Sequence, residues 1–295
     1  MAVVHVGGIA LEYDTLGPVS GEPLLIVQGL GDQMVKWDDG FHQALVHRGF
    51  RVIRFDNRDA GLSTHLDEEP VPDWTTALAE AAQGLAPDVP YGLEDMAVDA
   101  LAVLDALGVT RAHLVGVSMG GMIAQLLAAD HPARVLSLTS IMSSTGNPAI
   151  PLARPEALAV LIAPTPDPSD EDAYLAHALH VAKTLGSPGY PDDEAGLRAR
   201  LLKAARRAFA PAGCGRQLAA IATGGDRRDK LKGITAPTLV IHGTDDPLVP
   251  IEAGQDTAEC ISGAELLAIP GMGHNLPAAL YEDVADAITT LARES

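Results

Sequence analysis

The sequence predicts an α/β protein, with a mostly parallel, twisted sheet that carries helices on both of its faces. Two observations lead to this prediction. Short apolar runs alternate with amphipathic helical patterns along most of the chain, which is typical of parallel sheets with crossover helices. The length of 295 residues also suits one or two domains of this class.

The predicted elements follow one another in a regular order. The chain opens with a hairpin, residues 3–6 and 9–16, which turns at Gly7 and Gly8. Buried strands are predicted at 24–27, 52–55, 112–117, 135–142, 238–242 and 265–269. Helices are predicted between or after these strands at 37–48, 93–107, 119–131, 251–260 and 278–292.

The alternation stops in one long stretch, residues 144–233, where proline-rich segments separate helical patterns at 170–185 and 193–209. We therefore predict a core domain formed by residues 1–143 and 234–295, and a helical cap, or lid, inserted at 144–233. In an open α/β sheet, ligands bind beyond the carboxyl ends of the strands. An insertion that leaves the sheet at such an end is expected to cover the binding site.

The charge balance argues against several classes of partner. The chain has 39 acidic and 20 basic residues and a net charge of −19, whereas surfaces that bind nucleic acid or anionic membranes are rich in Lys and Arg. No apolar run reaches the length of a membrane span, and the start lacks a signal-peptide pattern. Two cysteines, Cys214 and Cys260, indicate a reducing compartment. We expect a cytoplasmic protein without nucleic-acid or membrane partners, and leave its oligomeric state open.

The segment Gly116-Val117-Ser118-Met119-Gly120 fits the G-x-S-x-G pattern of a nucleophile elbow. It follows a clean predicted strand and opens a clean predicted helix. A turn this sharp strains the backbone of the serine and leaves no room for neighbouring side chains, so glycine fits on both sides. The hydroxyl of Ser118 would stand above the sheet at a helix N-terminus. Ser118 is therefore the candidate nucleophile.

A serine hydroxyl needs a base to become a good nucleophile. Of the ten histidines, His274 lies in a glycine-rich loop after the last predicted strand, on the same edge of the sheet as Ser118. By contrast, His177 and His180 share a helix face but lack the carboxylates or cysteines that would complete a metal site. We predict that His274 is the base, and we expect neither a metal nor a cofactor.

The third group should be a carboxylate that orients the imidazole. Two candidates, Asp245 and Asp246, stand side by side after the strand at 238–242. We choose Asp246 because its spacing from Gly243 and Pro250 matches the usual pattern of such loops, and keep Asp245 as the alternative. The order Ser118, Asp246, His274 is the one expected of this type of fold.

These residues make the chain resemble the serine hydrolases of the α/β-hydrolase superfamily over residues 24–292. The stretch "RFDNRDAGLST" (54–64) resembles the D-x-R-G-x-G-x-S signature, with Asp59 where glycine is commoner, and "PGMGHNLP" (270–277) resembles the histidine loop. Together they are most similar to a subgroup that includes carboxylesterases and aclacinomycin methylesterase. The resemblance implies an α/β-hydrolase fold.

The resemblance also implies an oxyanion hole made by the backbone N–H groups of Leu30 and Met119. Gln28 stands where the family usually has histidine, but the donor is the backbone of Leu30. Such donors stabilise the developing charge by about 3–4 kcal/mol each. By sequence position, the residues expected to contact substrate are Gly29, Met34, Trp37 and Met142.

We predict a serine carboxylester hydrolase that acts on small to medium, mainly apolar esters. The Ala- and Leu-rich insertion and the few charges near the elbow favour an uncharged substrate. The same residues could serve a cofactor-free perhydrolase, of haloperoxidase-like kind, or a hydrolase of carbon–carbon bonds, since fold does not settle chemistry. A non-enzymatic receptor for a small ligand is a further alternative.

Overall fold

An eight-stranded sheet forms the centre of the structure, a computed structural model that describes residues 2–37 and 39–294. Its strands are β1 (Ala2–Val6), β2 (Ile9–Leu16), β3 (Glu22–Val27), β4 (Phe50–Phe55), β5 (Ala112–Val117), β6 (Val135–Ile141), β7 (Thr238–Gly243) and β8 (Glu265–Ile269). They lie in the order β1-β2-β4-β3-β5-β6-β7-β8. The first two form the predicted antiparallel hairpin, β2 runs antiparallel to β4, and the other pairs are parallel.

Helices cover both faces of the sheet, because side chains alternate between the faces along each strand. In β5, Leu114 packs into one apolar cluster with α3 (Leu93–Ala106) and α4 (Met119–Asp130). The next residue, Val115, packs into a second cluster with α1 (Asp39–His47) and α11 (Tyr281–Ala292). Burial on both faces explains why the central strands read as continuous apolar runs. The helix α10 (Ile251–Cys260) connects β7 to β8.

Five helices lie between β6 and β7, and the described residues there contain no strand. They are α5 (Pro155–Ile162), α6 (Glu171–Leu185), α7 (Glu194–Arg207), α8 (Pro211–Thr223) and α9 (Arg228–Leu231). We refer to residues 144–233 as the helical segment. It leaves the sheet after the carboxyl end of β6, on the side where the elbow serine lies.

The predicted strands are present. Four of them, β1, β3, β4 and β7, are longer by one or two residues at an end, and β6 ends one residue earlier than predicted. The prediction missed α2 (Trp74–Ala82) and, in the helical segment, α5, α8 and α9. Of the residues in α2 only Ala77 is buried, so the helix lacks the apolar stripe that indicates a helix in sequence. The one local signal was Asp73, whose carboxylate caps the helix by accepting a hydrogen bond from the N–H of Thr76.

None of the helices in the described part of the chain is both long enough and apolar enough to cross a membrane.

Candidate active site

Ser118 occupies a strained turn between β5 and α4. Its backbone angles are φ 54° and ψ −120°, in a region that non-glycine residues rarely adopt. A Cβ on Gly116 would lie 2.3 Å from the carbonyl oxygen of Gly120, and one on Gly120 would lie 2.1 Å from that of Val27. Both positions therefore require glycine. The turn leaves the side chain of Ser118 partly accessible, while the strand before it is buried.

His274 comes from the loop after β8 and faces Ser118, with Nε2 3.0 Å from the hydroxyl oxygen. The loop is held against the helical segment, because the N–H of His274 donates to the carbonyl oxygen of Leu185 at 2.7 Å. A Cβ on Gly273 would lie 2.2 Å from the carbonyl oxygen of Gly186. The glycine-rich sequence of this loop thus permits backbone-to-backbone packing next to the imidazole.

Asp246 follows β7, and its fully buried carboxylate contacts His274, with 2.7 Å between Oδ2 and Nδ1. The other oxygen, Oδ1, accepts hydrogen bonds from the N–H groups of Leu248 and Val249, both at 2.9 Å. An ionised carboxylate only accepts, so Nδ1 of His274 carries the proton and Nε2 is free to accept the proton of Ser118. This arrangement is suited to general-base activation of a serine hydroxyl.

The neighbouring Asp245 has other partners than His274. Its Oδ2 accepts hydrogen bonds from the N–H of Gly271 at 2.9 Å and from the hydroxyl of Thr244. The hydroxyl of Thr244, followed by the Gly271 amide, lowers the pKa of Asp245. Asp245 therefore ties together the loops after β7 and β8. Of the two candidate carboxylates, the structure brings Asp246 to the imidazole.

A second histidine, His242, lies fully buried behind Asp246, with Nε2 3.7 Å from Oδ2. Burial lowers its pKa, because the charged imidazolium would be poorly solvated there. Its Nε2 donates to the carbonyl oxygen of Val249 at 2.8 Å, which is the role of a neutral ring with the proton on Nε2. Sequence analysis gave this strand-end histidine no part in the site.

The loop after β3 lies directly against the nucleophile. A Cβ on Gly29 would lie 3.3 Å from Cβ of Ser118. A turn closes the loop through a hydrogen bond from the N–H of Asp32 to the carbonyl oxygen of Gly29. Leu30 lies within this turn, and Met119 is the first residue of α4, where backbone N–H groups have no partner inside the helix. Both predicted donors thus belong to segments that border Ser118.

The other predicted contact residues belong to packed surroundings. Trp37 and Met142 lie in the apolar cluster on the α1 and α11 face, and Trp37 packs edge-on against Phe41 with 4.9 Å between ring centres. Met34 is fully buried, and its N–H donates to the carboxylate of Asp56 at 2.7 Å. A contact between substrate and Gly29, Met34, Trp37 or Met142 stays a prediction.

The expectation of few charges near the elbow is wrong in three dimensions. A Cβ on Gly29 would lie 3.3 Å from Cβ of Ser118 and 3.5 Å from Oδ2 of Asp32. The carboxylate of Asp32 is therefore close to the nucleophile. Asp32 pairs with Lys36 at 2.8 Å, and the attraction raises the pKa of Lys36. The side chain of Lys36 is about half exposed, at 49%. Sequence analysis had already placed this loop at the site through Leu30, so Asp32, two residues further along, was an available signal that the expectation left out.

An ion-paired network connects the core to the helical segment. Sequence analysis expected Asp59 at most to tie neighbouring loops by hydrogen bonds, and did not foresee its partner in the helical segment. Asp59 has φ 65° and accepts two hydrogen bonds from Arg216 of α8, at 2.7 and 2.8 Å. The hydroxyl of Tyr91 and the N–H of Leu66 also donate to its carboxylate. Burial by itself would raise the pKa of Asp59, but the hydrogen bonds from Arg216, Leu66 and Tyr91 lower it. The one available signal was Asp59 itself, at a position where glycine is commoner.

Asp56 anchors a second such contact. Its carboxylate is fully buried, lies 2.6 Å from a guanidinium nitrogen of Arg207 at the end of α7, and accepts from the N–H of Leu62. A Cβ on Gly61 would lie 2.1 Å from the same carboxylate.

Across residues 2–37 and 39–294, no three His, Cys, Asp or Glu side chains lie close enough to hold a metal ion.

Comparisons with known proteins agree with the fold of the chain. A family model described as the α/β hydrolase fold matches residues 22–277. The chain is 31% identical over 312 residues to rhodomycin D methylesterase of Streptomyces peucetius, covering 97% of this chain and 95% of that protein.

Two solved structures have the same fold. One is the esterase RhEst1 from Rhodococcus sp. ECU1013, with a TM-score of 0.70, 23% identity and 98% of each chain covered. The other is a variant of a meta-cleavage product hydrolase from Pseudomonas fluorescens IP01, with a TM-score of 0.76, 17% identity, and coverage of 100% of this chain and 98% of that one.

Proposed function

Because the chain belongs to the α/β-hydrolase family and is an enzyme of the esterase/hydrolase type, we propose that it is a serine carboxylester hydrolase. Ser118 is its nucleophile, His274 its base and Asp246 the orienting carboxylate. One observation carries the proposal: His274 bridges the other two groups, at 3.0 Å from the Ser118 hydroxyl and 2.7 Å from the Asp246 carboxylate.

The reaction proceeds in two halves. His274 takes the proton of Ser118 while the hydroxyl oxygen attacks the ester carbonyl carbon, and the carbonyl electrons move to the oxygen. The N–H groups of Leu30 and Met119 stabilise that oxyanion. The intermediate collapses, the alcohol leaves with the proton from His274, and an acyl group remains on Ser118. Water, deprotonated by His274, then attacks the acyl carbon. The bond from that carbon to the Ser118 oxygen breaks, His274 returns its proton to Ser118, and the acid is released.

The helical segment acts as a cap over this site in the proposal. Its residues 185–189 contact the loop that carries His274 through backbone hydrogen bonds from His274 to Leu185 and from Gly189 to Gly271. A closed cap excludes water and confines the acyl group. The proposed substrates are small to medium, mainly apolar carboxylic esters. The similarity to a methylesterase along 97% of the chain supports methyl esters as a class to test.

The test measures hydrolysis of p-nitrophenyl esters from acetate to palmitate, together with methyl esters of the same acids. We expect the rate to be highest for short acyl chains and to vanish in Ser118→Ala. Asp246→Asn should lower kcat by about 10⁴-fold, because the imidazole then adopts the wrong tautomer. The matched control is Asp245→Asn, which removes the neighbouring carboxylate and should keep kcat within about tenfold, far above the Asp246→Asn rate.

Four results would overturn the proposal in distinguishable ways. Full activity in Ser118→Ala would exclude the nucleophile. Peracid formation from acetate and peroxide that exceeds ester hydrolysis would indicate a perhydrolase, and cleavage of diketones with no ester turnover would indicate a carbon–carbon hydrolase. Tight binding of a small ligand without turnover of any ester or diketone would indicate a receptor.

A further inference from the structure

Gln217, on α8 of the helical segment, bridges two loops of the core next to the nucleophile. Its side chain is fully buried. Oε1 accepts a hydrogen bond from the N–H of Gly31 at 2.8 Å, and Nε2 donates to the carbonyl oxygen of Arg58 at 2.7 Å. One amide therefore uses both of its ends to connect the loop after β3 with the loop after β4.

The hydrogen bond to Gly31 acts on the peptide that follows Leu30. Gly31 has φ +66°, a conformation that side-chain-bearing residues rarely adopt. The turn around it is closed by a single 3.2 Å hydrogen bond between the N–H of Asp32 and the carbonyl oxygen of Gly29. A turn of this kind has several orientations of similar energy. The bond from Gly31 to Gln217 fixes the orientation of the Leu30–Gly31 peptide. Because this peptide directly follows the one that carries the Leu30 N–H, the bond restrains the position of that N–H within the turn.

The helix that carries Gln217 is itself firmly placed. The preceding residue, Arg216, forms the two hydrogen bonds to Asp59. Four residues before Gln217, a Cβ on Gly213 would lie 2.2 Å from the carbonyl oxygen of Asp59, so the helix rests on the backbone of that loop. Gln217 is thus a side chain of defined position, held by an ion pair and by close packing on the same helix.

We infer that Gln217 is a positioning residue for the oxyanion hole, supplied by the helical segment. It touches no reacting atom and acts through Gly31 on the Leu30 N–H. The inference rests on the proposed function, because it requires a developing oxyanion beside Ser118. It means that the docking of α8 and the strength of transition-state stabilisation are coupled through one amide.

The test compares Gln217→Met, which keeps the volume and removes both hydrogen bonds, with the wild type. Misplacement of an oxyanion donor acts on the transition state more than on the bound substrate. We expect kcat for a p-nitrophenyl ester to fall about 10- to 100-fold, while KM changes less than about threefold. The rate of Ser118 phosphonylation by a fluorophosphonate should fall in parallel, since that reaction uses the same hole.

The matched control is Gln33→Met. Gln33 also joins the core to the helical segment by amide hydrogen bonds. Its Nε2 donates to the carbonyl oxygens of Ala204 and Ala208 at 2.8 and 3.0 Å, and its Oε1 accepts from Arg207 at 2.8 Å. The control should lower the melting temperature as Gln217→Met does, yet keep kcat within about threefold of the wild type. If Gln217→Met does not fold, Gln217→Asn, which is too short to hold both bonds, should give the same loss of kcat.

The outcomes separate the inference from the proposed function. A wild type that is neither phosphonylated nor active on esters would overturn the proposed function and the inference with it. A wild type that is active, with a Gln217 variant of unchanged kcat, would overturn the inference alone. An equal loss of kcat in Gln33→Met would show that docking of the helical segment, and not Gly31, governs the rate, and would also overturn the inference.

Discussion

Asp59 affects the structure well beyond its own turn. It holds a left-handed conformation that glycine adopts at less cost. The side chain offsets that cost, because its carboxylate accepts hydrogen bonds from Arg216, Tyr91 and Leu66. An uncompensated charge at a fully buried site would be expensive. The side chains of Asp59 and Arg216 are 0% and 1% exposed. Each charge is therefore stable in the interior only while the other is present.

We predict that Arg216→Met lowers the free energy of unfolding by about 3–5 kcal/mol, because it leaves the Asp59 carboxylate buried without its cation. Asp59→Gly should also lower the free energy of unfolding, since it leaves the guanidinium of Arg216 buried without its carboxylate. The double variant Asp59→Gly/Arg216→Met should lose less than the sum of the two single changes. Urea unfolding of the four proteins measures this difference. Strictly additive losses would contradict the view that the two charges stabilise each other.

The loops that follow β7 and β8 form one unit at the scale of the elements. Asp245 connects them through Gly271, and Asp246 connects them through His274. A Cβ on Gly243 would lie 2.0 Å from the carbonyl oxygen of Met272, so the two backbones touch. His242 fills the space behind this junction, and a Cβ on Gly254 of α10 would lie 2.6 Å from its Nδ1. The ring has no room to move away from Asp246.

This packing gives stability a defined pH dependence. The pKa of His242 is lowered in the folded protein by burial, whereas an unfolded histidine has a pKa of about 6.5. Below that pH the unfolded chain binds a proton that the folded protein does not, so stability falls as pH decreases. The loss from this group is at most about 1.4 kcal/mol per pH unit, and it stops at the folded pKa.

His242→Asn should therefore unfold more easily than the wild type at pH 7.5, but its stability should fall less steeply between pH 6.5 and 5. Urea unfolding at a series of pH values measures both slopes. Between pH 7.5 and 8.5 the free energies of unfolding of the two proteins should change with pH at the same rate, because histidine does not titrate there. Equal slopes below pH 6.5 would mean that His242 is protonated in the folded state.

At the scale of the whole molecule, the net charge of −19 affects which substrates approach the site. Fields from exposed charges extend about 30 Å at 0.01 M ionic strength and about 8 Å at 0.15 M. An anionic ester is therefore repelled most at low salt. A neutral ester of the same size is not.

We predict that kcat/KM for mono-p-nitrophenyl succinate rises several-fold, roughly threefold or more, when sodium chloride increases from 0.01 to 0.15 M. The value for p-nitrophenyl butyrate, which has the same chain length without the charge, should change little. At each salt concentration, the ratio of the two kcat/KM values is taken in the same buffer. General effects of salt on the enzyme cancel in this ratio. A constant ratio would show that local groups such as Lys36 outweigh the overall charge at the entrance.

The sequence by itself determined the sheet, the elbow and three candidate residues for the site. Those features are encoded locally: strands as apolar runs, and the elbow as glycines on either side of a serine. The triad residues could be named because each follows the carboxyl end of a strand, and such ends meet at one edge of a parallel sheet. Their roles remain the subject of the proposed tests.

Only the tertiary structure decided which carboxylate meets His274, how Asp59 is neutralised and what holds the loop at Leu30. Asp245 and Asp246 differ by one position in sequence but point to different partners, and no local pattern distinguishes those directions. Gly31 and Gln217 are separated by 186 positions, and Asp59 and Arg216 by 157. Contacts across such distances depend on how the helical segment docks onto the core, and that docking is set by side-chain packing and hydrogen-bond geometry that leave no periodic signal in the sequence.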